Sequence, residues 1–411
     1  MLVKVDNCYI TADNNAPKDP RHDFPSRFGA MWSALQSANI PEMLICQWGT
    51  PYLNGSVLEG PDEWTPPIST SFRVSDDIAD GWWNVERIAN ENLHVTTLHQ
   101  SAGPGSWSDM DMLEVGNDAF TVDEQRSHFA LWALSKSTLM IGTNVPDMSD
   151  TTLSILANKG LLAANQDDLG VPIRILQRFT RDHDVYAGPL AGGDLAIFLI
   201  DSSNASNTLA IDFAAQLNVS SADVEDLWTG ETQAGASSYS AKVPAHGNIA
   251  LRLSNITPCA AEAVVERNYY AFANGTLTGG ADVQSWLEGA KVGNLNGNTS
   301  AAVTLSGITA SQETQDVLFD YINCDVGYAF AQRGPNVRSA LVSVNGGEAQ
   351  VVDFPLSGYA WDRDVWRGWR VRLEGFEVGG GNEVSVRGPR VGDLLEAESG
   401  FAPDLVGLSV V

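Results

Sequence analysis

Acidic side chains follow directly on short apolar runs in the first part of the chain. The run Leu2-Val3-Lys4-Val5 ends in Asp6, and Phe72-Arg73-Val74-Ser75 ends in the adjacent pair Asp76-Asp77. Two carboxylates that flank a bond, one to attack or activate water and one to protonate the leaving oxygen, are the chemistry that cleaves glycosidic bonds. If both runs are parallel strands, their acids meet at the carboxyl edge of one sheet, where barrel enzymes keep their catalytic groups.

The types and spacing of these residues predict different roles for the two acidic positions. Lys4 lies two residues before Asp6, hence on the same face of a strand, and a neighbouring ammonium keeps a carboxylate ionised, as a nucleophile requires. The adjacent Asp76 and Asp77 repel each other, which favours the protonated form that a general acid needs. The alternative for Asp6 is a cap on the next turn, and for one of the other two it is the N-cap of a helix that follows.

Two further segments place polar side chains after apolar runs. Cys46-Gln47-Trp48-Gly49 offers an amide and an indole, which suit hydroxyl recognition and ring stacking. The segment Ser106–Glu114 contains Asp109 and Asp111. Any one of these segments is weak evidence, but together they form a constellation of polar strand ends.

The elements that must position these residues alternate between strand and helix over residues 1–170, as in a parallel α/β sheet. The pattern predicts strands at Leu2–Asp6, Glu42–Trp48, Ser71–Ser75, Trp107–Val115 and Thr138–Gly142, and helices at Pro25–Ala38, Ile78–Asn92, Val122–Lys136 and Asp150–Ala157. Beyond Gly170 the pattern becomes antiparallel β, with strands such as Leu195–Ile200 and Ile249–Leu253 up to about residue 256. Residues 257–411 are again all-β with glycine turns, which predicts a β-sandwich. We therefore expect three domains, 1–170, 171–256 and 257–411.

Composition restricts the function classes. The formal net charge of −27 disfavours nucleic acid and anionic membrane surfaces as partners, and no apolar run is long enough to span a membrane. The 12 tryptophans against 14 phenylalanines suit stacking on sugar rings, or equally the filling of large cores. Six glycosylation sequons, at Asn54, Asn204, Asn218, Asn255, Asn274 and Asn298, favour secretion, although the start of the chain does not read as a signal peptide.

The segment from Leu2 to about Leu169 closely resembles glycoside hydrolase family 27, the α-galactosidases and α-N-acetylgalactosaminidases. The resemblance rests on Lys4-Val5-Asp6-Asn7-Cys8, Cys46-Gln47-Trp48-Gly49, Arg73-x-x-Asp76-Asp77-Ile78, Trp107-Ser108-Asp109-x-Asp111-Met112-Leu113 and Arg126-Ser127-His128-Phe129-x-Leu131-Trp132-Ala133. It implies a (β/α)8 barrel that here lacks its first strands, with the five strands above as strands four to eight. On this resemblance the front of the barrel and the signal peptide precede Met1, and Cys8 has lost its disulfide partner. No partner is assigned to Cys46, Cys259 or Cys324.

The resemblance also implies roles for individual residues. Asp6 is the nucleophile and Asp77 the general acid/base of a retaining double displacement, with Asp76 as a neighbour or helix cap. Lys4 and Arg73 bind galactose hydroxyls, Gln47 and Trp48 lie where the sugar's 2-position is read, and Asp109 and Asp111 support the barrel rim. No metal or cofactor is required. The expected substrates are α-galactosides of plant oligosaccharides or galactomannan.

Residues 257–411 resemble carbohydrate-binding modules of family 35 through Lys291-Val292-Gly293-Asn294-Leu295, Val342-x-Val344-Asn345-Gly346 and the tryptophans Trp361, Trp366 and Trp369. Such modules often hold calcium through an early glutamate, but the equivalent stretch here reads Tyr269-Tyr270-Ala271-Phe272-Ala273, which disfavours calcium. The three tryptophans bind sugar or fill the core.

Other functions remain open on the sequence. The chain can be an inactive fragment that acts only as a sugar-binding protein through its last domain, in which case sugar binding survives deletion of residues 1–256. It can also act on α-N-acetylgalactosaminides or β-L-arabinopyranosides, and Gln47 does not decide among the three glycosides. The sequence does not give the oligomeric state.

Overall fold

A computed structural model describes residues 2–7, 23–180, 182–260, 267–326, 336–390 and 400–411. The chain forms two compact units. The first takes in the residues up to Ile175 together with Val185–Ala260, and the second takes in Leu176–Asp184 and most of the chain after Ala260. Cys8 lies outside the described residues.

The first unit contains a parallel sheet with helices between its strands. The strands up to residue 110 are β1 Leu2–Asp6, β2 Glu42–Cys46, β3 Tyr52–Asn54, β4 Val57–Glu59, β5 Ser71–Arg73 and β6 Trp107–Asp109. Strands β1, β2, β5 and β6 are neighbours in that order and all parallel, whereas β3 and β4 form a separate hairpin. The helices are α1 Phe24–Ser37, α2 Pro61–Trp64, α3 Trp82–Leu93, α4 Val122–Leu134, α5 Asp150–Leu156 and α6 Lys159–Asn165.

The fifth predicted strand is wrong. Thr138–Gly142 forms no strand, and Ile141 makes only a single isolated parallel bridge to Leu113, which lies beyond the end of β6. The predicted strand from Trp107 to Val115 is also shorter, because Asp111 has a φ of 75°, which interrupts the extended backbone after Asp109. The predicted helices are confirmed with shifts of a few residues, and the largest shift is at α3, which begins at Trp82 after Gly81 rather than at Ile78.

Alternation along β1 decides which side chains reach the site. Val3 and Val5 pack against a core that contains Phe24 and Phe28 of α1, while Lys4 and Asp6 point to the opposite face. The same core contains Ile45 of β2. Burial of one face of the strand therefore fixes the orientation of the polar face.

The end of α3 departs from regular α-helix. Residues His94–His99 continue it as a π-helix, which closes at Gln100 in a left-handed conformation. Isolated π-helical turns are rare in proteins, and those that occur are often found at functional sites.

The rest of the first unit is antiparallel. Around residue 180 the chain forms β7 Arg174–Phe179 and β8 His183–Pro189, and then β9 Leu195–Asp201, β10 Asn207–Asp212, α7 Phe213–Leu217, β11 Val219–Asp226, β12 Thr232–Ala236, β13 Ser238–Val243 and β14 Asn248–Pro258. The first unit has a sheet of order β12-β11-β14-β9-β8 and a β10-β13 pair. The strands expected at Leu195–Ile200 and Ile249–Leu253 are thus confirmed. This sheet domain meets α4 through Ser127 Oγ, which donates to the carbonyl of His246 at 2.6 Å.

The second unit is β-rich. Its strands after β7 are β15 Tyr269–Ala271, β16 Thr276–Thr278, β17 Asp282–Trp286, β18 Gly289–Gly293, β19 Ala302–Ala310, β20 Thr314–Ile322, β21 Arg338–Val344, β22 Gln350–Phe354, β23 Trp366–Glu374, β24 Gly379–Arg387 and β25 Asp404–Val410. One sheet has the order β7-β23-β20-β25-β18-β17, with β15 also paired to β25, and the other has the order β16-β19-β24-β21-β22. Among the residues described, no helix is long and apolar enough to cross a membrane.

Candidate active site

The parallel sheet brings the predicted site residues to one edge. Asp6 is level with Cys46 on the neighbouring strand, and Arg73 is level with Asp109 on the next pair. These four residues end β1, β2, β5 and β6, so they share the carboxyl edge of the sheet. This is the edge at which barrel enzymes hold catalytic groups.

Asp6 and Lys4 form an ion pair, with Lys4 Nζ 3.3 Å from Asp6 Oδ1. The side chains of both residues are 43% exposed, so the carboxylate is open to a ligand from solvent. The structure therefore places the predicted nucleophile beside the predicted cation.

Cys46 links the Lys4–Asp6 ion pair to Arg73. Its buried thiol hydrogen-bonds with Asp6, and Nη1 of Arg73 lies 3.6 Å from its sulfur. Burial raises the pKa of the Cys46 thiol to about 12, despite the opposing positive charges of Arg73 and Lys4. The thiol is thus neutral at physiological pH and is not a thiolate nucleophile.

Arg73 is the central cation. It is 1% exposed, and its Nη2 donates to Asp77 Oδ1 at 2.9 Å and to Asp111 Oδ2 at 2.7 Å. Burial alone would lower the pKa of Arg73, but Cys46 and the surrounding aspartates raise it on balance, so the guanidinium stays charged. One buried guanidinium therefore orients the predicted acid/base, whose own side chain is 66% exposed.

Asp111 holds the loop that follows β5. Its Oδ2 also accepts the backbone N–H of Ile78 at 2.7 Å, and its own N–H donates to Asp109 Oδ1 at 3.0 Å. Asp109 is buried, and this burial raises its pKa to about 6, with Arg73 opposing the shift and Asp111 adding to it. Asp111 thus holds the backbone directly after Asp77, and Asp109 holds Asp111.

The adjacent acids Asp76 and Asp77 turn to different cations. Asp76 is buried and pairs with Arg87 of α3, which also contacts Ser75, whereas Asp77 faces Arg73. Neither acid caps the next helix, because the N-cap of α3 is Gly81. The helix-cap interpretation of these acids is therefore wrong.

Sequence reasoning missed Arg87. The sequence did carry a signal for Arg87, because it lies among apolar residues of α3, such as Val85 and Ile88, which are buried. An arginine on a buried helical face requires an acid nearby.

The predicted sugar-reading residues differ in accessibility. Gln47 is 1% exposed, and its Nε2 donates to the carbonyl of Arg73 at 3.2 Å, so its amide supports the adjacent strand. Trp48 is half-buried and has a φ of 59°, and Gly49 follows with a φ of 67°. Two consecutive left-handed residues turn the chain sharply, directly after β2.

The arrangement offers two accessible carboxylates, each beside a cation, at one edge of a sheet. Strands β1 and β5 are two positions apart, so their backbones are separated by about 10 Å. Two side chains that converge over that gap suit the carboxyl separation of about 5–5.5 Å in retaining glycosidases or the wider one in inverting enzymes.

Comparison with known protein families gives two matches. Residues 1–167 match the model described as alpha galactosidase A, and residues 180–253 match the alpha galactosidase C-terminal beta sandwich domain.

Several curated relatives carry α-galactosidase names. A "Probable alpha-galactosidase D" of Aspergillus flavus is 29% identical over 527 residues, covering 100% of this chain and 77% of the relative. "Alpha-galactosidase D" of Emericella nidulans is 31% identical over 326 residues, covering 77% of this chain and 46% of the relative. The chain thus spans less than half the length of that relative.

Solved structures agree. Alpha-galactosidase I from Mortierella vinacea superposes with a TM-score of 0.56 and 28% identity, covering 63% of this chain and 69% of that one. The α-galactosidase of Saccharomyces cerevisiae, at 23% identity and a TM-score of 0.52 over 62% of this chain and 72% of that one, shares the fold.

A parallel sheet with carboxylates at its carboxyl edge, followed by an antiparallel β-domain, defines the chain as a glycoside hydrolase of the barrel class. Residues 1–167 and 180–253 are similar to the catalytic and C-terminal domains of the α-galactosidases (melibiases).

Proposed function

We propose that the chain is a retaining α-galactosidase that releases terminal, non-reducing α-D-galactose from galacto-oligosaccharides or galactomannan. The observation that carries the proposal is the Lys4–Asp6 and Arg73–Asp77 arrangement at one sheet edge. The α-galactosidase names of the relatives reported above support the substrate class.

In the first step Asp6 attacks the anomeric carbon while Asp77 protonates the departing oxygen. Lys4 holds the carboxylate of Asp6 in place, since its Nζ lies 3.3 Å from Asp6 Oδ1.

In the second step water replaces the leaving group, Asp77 removes its proton, and the bond between galactose and Asp6 breaks. Each substitution inverts the anomeric carbon, so two restore the α configuration. Arg73 keeps Asp77 in place through both steps, because it is itself held by Asp111.

We further propose that Lys4 and Arg73 bind galactose hydroxyls and that Trp48 contacts the sugar ring near its 2-position. Gln47 acts on that position through the backbone that it holds. Relative rates on aryl α-galactoside, α-N-acetylgalactosaminide and β-L-arabinopyranoside measure this specificity, and we expect the α-galactoside to be the fastest.

The test is hydrolysis of an aryl α-galactoside by the full chain and by three variants. Asp6→Asn is expected to lose at least about 10⁴-fold in kcat, since a nucleophile cannot be replaced by an amide. Asp77→Asn should lose about 10²–10⁴-fold with a poor leaving group, and much less with a dinitrophenolate that needs no protonation. The exposed neighbour Asp80 provides the control, Asp80→Asn, which should retain full activity.

Product stereochemistry and azide separate the two roles. Proton NMR of the wild-type reaction should show α-galactose as the first product. Azide should accelerate Asp77→Asn and give the α-galactosyl azide, because it replaces water at the covalent intermediate. Absence of aryl α-galactoside hydrolysis by the wild type would refute the function, whereas β-galactose as first product would refute retention.

We propose the three domains expected from the sequence, with the last as a sugar-binding module. Trp366 and Trp369 are 4% and 2% exposed and fill the core, which leaves Trp361 as the candidate sugar platform. Its ring is partly exposed and lies beneath the Arg338 guanidinium at 4.6 Å. Trp361→Ala should weaken retention on galactomannan gels without changing hydrolysis of an aryl galactoside.

We also propose that the protein is secreted, on the six sequons. Exposed Asn54 is one of them. Mass loss on deglycosylation of protein secreted by its native host tests this proposal.

A further inference from the structure

We propose a transition-metal site, best suited to Zn²⁺, formed by Asp62, His94 and His99. Their ligand atoms, one from each residue, all lie within 4.8 Å of one another. Two imidazoles and a carboxylate are a preferred ligand set for Zn²⁺. The site is separate from the candidate active site and does not depend on the proposed function.

The π-helical turn is what brings the two histidines together. His94 and His99 are five residues apart, so in an α-helix their side chains would point about 140° away from each other. A π-helix takes more residues per turn and hydrogen-bonds i to i+5, which brings residues five apart much closer to the same face of the helix. The two rings accordingly lie with their centroids 4.1 Å apart.

Asp62 supplies the negative charge. Its side chain is 1% exposed, and within the described residues its ion-pair partners are the two imidazoles. Oδ2 contacts His99 Nδ1 at 2.7 Å and accepts from Ser101 Oγ at 2.8 Å. Oδ1 accepts no hydrogen bond from the described part of the chain and lies 3.6 Å from His94 Nε2. A buried carboxylate with one uncommitted oxygen is a group that a cation would stabilise.

The distances fit a metal after a small movement. Ligand atoms on a tetrahedral Zn²⁺ with bonds of about 2.1 Å lie about 3.4 Å apart. The 3.6 Å between Asp62 Oδ1 and His94 Nε2 already matches this spacing. The other carboxylate oxygen, Oδ2, lies 2.7 Å from His99 Nδ1, and this contact must open by less than about 1 Å. The His99 side chain is 33% exposed, so the ion can enter from that side and keep a water as fourth ligand.

The place of the site in the fold assigns it a structural role. The π-helical turn leads from α3 toward the start of β6, and Asp62 precedes β5. Both connections run from helix to strand, so they lie toward the amino edge of the sheet, opposite the edge that holds Asp6. Metal binding there should stabilise the first unit and leave the catalytic residues unaffected.

The test is titration of the EDTA-treated full chain with zinc chloride. We expect one Zn²⁺ per chain by calorimetry and a Tm rise of at least about 2 °C at a hundredfold excess over Kd. Mutation of a residue that only hydrogen-bonds to a metal ligand typically weakens metal binding by about 10–100-fold. Because Asp62→Asn, His94→Gln and His99→Gln each remove a ligand itself, each should weaken zinc binding by more than about 100-fold. His183→Gln is the matched control, because His183 contacts Asp182 at 2.8 Å outside this cluster and should bind zinc as the wild type does.

Location is tested without any variant by diethyl pyrocarbonate modification of the wild type, read by peptide mass mapping. Zn²⁺ should protect His99, while modification of His183 stays unchanged. Failure of zinc to bind, binding that survives in all three cluster variants, or unchanged modification of His99 in saturating zinc would overturn the proposal. Stabilisation at acid pH with no response to zinc would also overturn it, and would identify the cluster as a proton-linked contact instead.

Discussion

Replacement of Asp109 by asparagine should change how the stability of the first unit depends on pH. Asp109 is fully buried, and its burial raises its pKa from 3.8 to about 6. Its Oδ1 accepts the N–H of Asp111, a contact that an asparagine oxygen can also make. The substitution therefore removes the ionisation while keeping the shape and the hydrogen bond.

The sign follows from proton binding. Between pH 3.8 and about 6 the folded protein keeps a proton on Asp109 that the unfolded chain has released, so stability falls as pH rises through this window. The difference in pKa between 3.8 and about 6 corresponds to about 3 kcal/mol. As the pH rises from 4 to 7, the free energy of unfolding of Asp109→Asn should therefore increase by about 3 kcal/mol relative to that of the wild type.

The assay is thermal unfolding of both proteins at intervals from pH 4 to pH 7, with Asp118→Asn as control because Asp118 is exposed. We expect the Tm difference between Asp109→Asn and wild type to rise steadily with pH, and the Asp118→Asn difference to stay flat. A flat or falling difference for Asp109→Asn would refute the argument that burial dominates at this residue.

Two further predictions concern the backbone and the buried ion pair. Gly49→Ala should lower Tm far more than Gly55→Ala. Both glycines have a positive φ, but only at Gly49 would an added Cβ lie 2.4 Å from the Val74 carbonyl oxygen. Equal losses in Tm would contradict this prediction. Arg87→Met leaves Asp76 buried without its cation and should cost about 3–5 kcal/mol in chemical unfolding, much of it recovered in the double variant with Asp76→Asn. An additive double variant would contradict the pairing.

The order of elements in the first unit was largely predictable from the sequence, because apolar and polar residues alternate along a strand that has one buried and one open face. In β1, for example, Val3 and Val5 lie on the buried face and Lys4 and Asp6 on the open one. The early end of β6 was not predictable, since an apolar run does not reveal that Asp111 adopts a positive φ.

The candidate site was predictable in its strand-end residues but not in its connections. Spacing alone placed Lys4 with Asp6. It could not reveal that Arg73 holds both Asp77 and Asp111, since that contact joins residues 38 positions apart. The π-helical turn at His94–His99 was also missed, because helical periodicity is judged at 3.6 residues per turn.

The role of Asp6 as nucleophile can be tested directly. The most direct measurement is trapping of the covalent intermediate with a fluorinated α-galactosyl substrate that reacts and then hydrolyses slowly, followed by peptide mapping. We expect one added galactosyl group per chain, on the peptide that contains Asp6, and none in Asp6→Asn. A label on Asp77 or on any other carboxylate would contradict it.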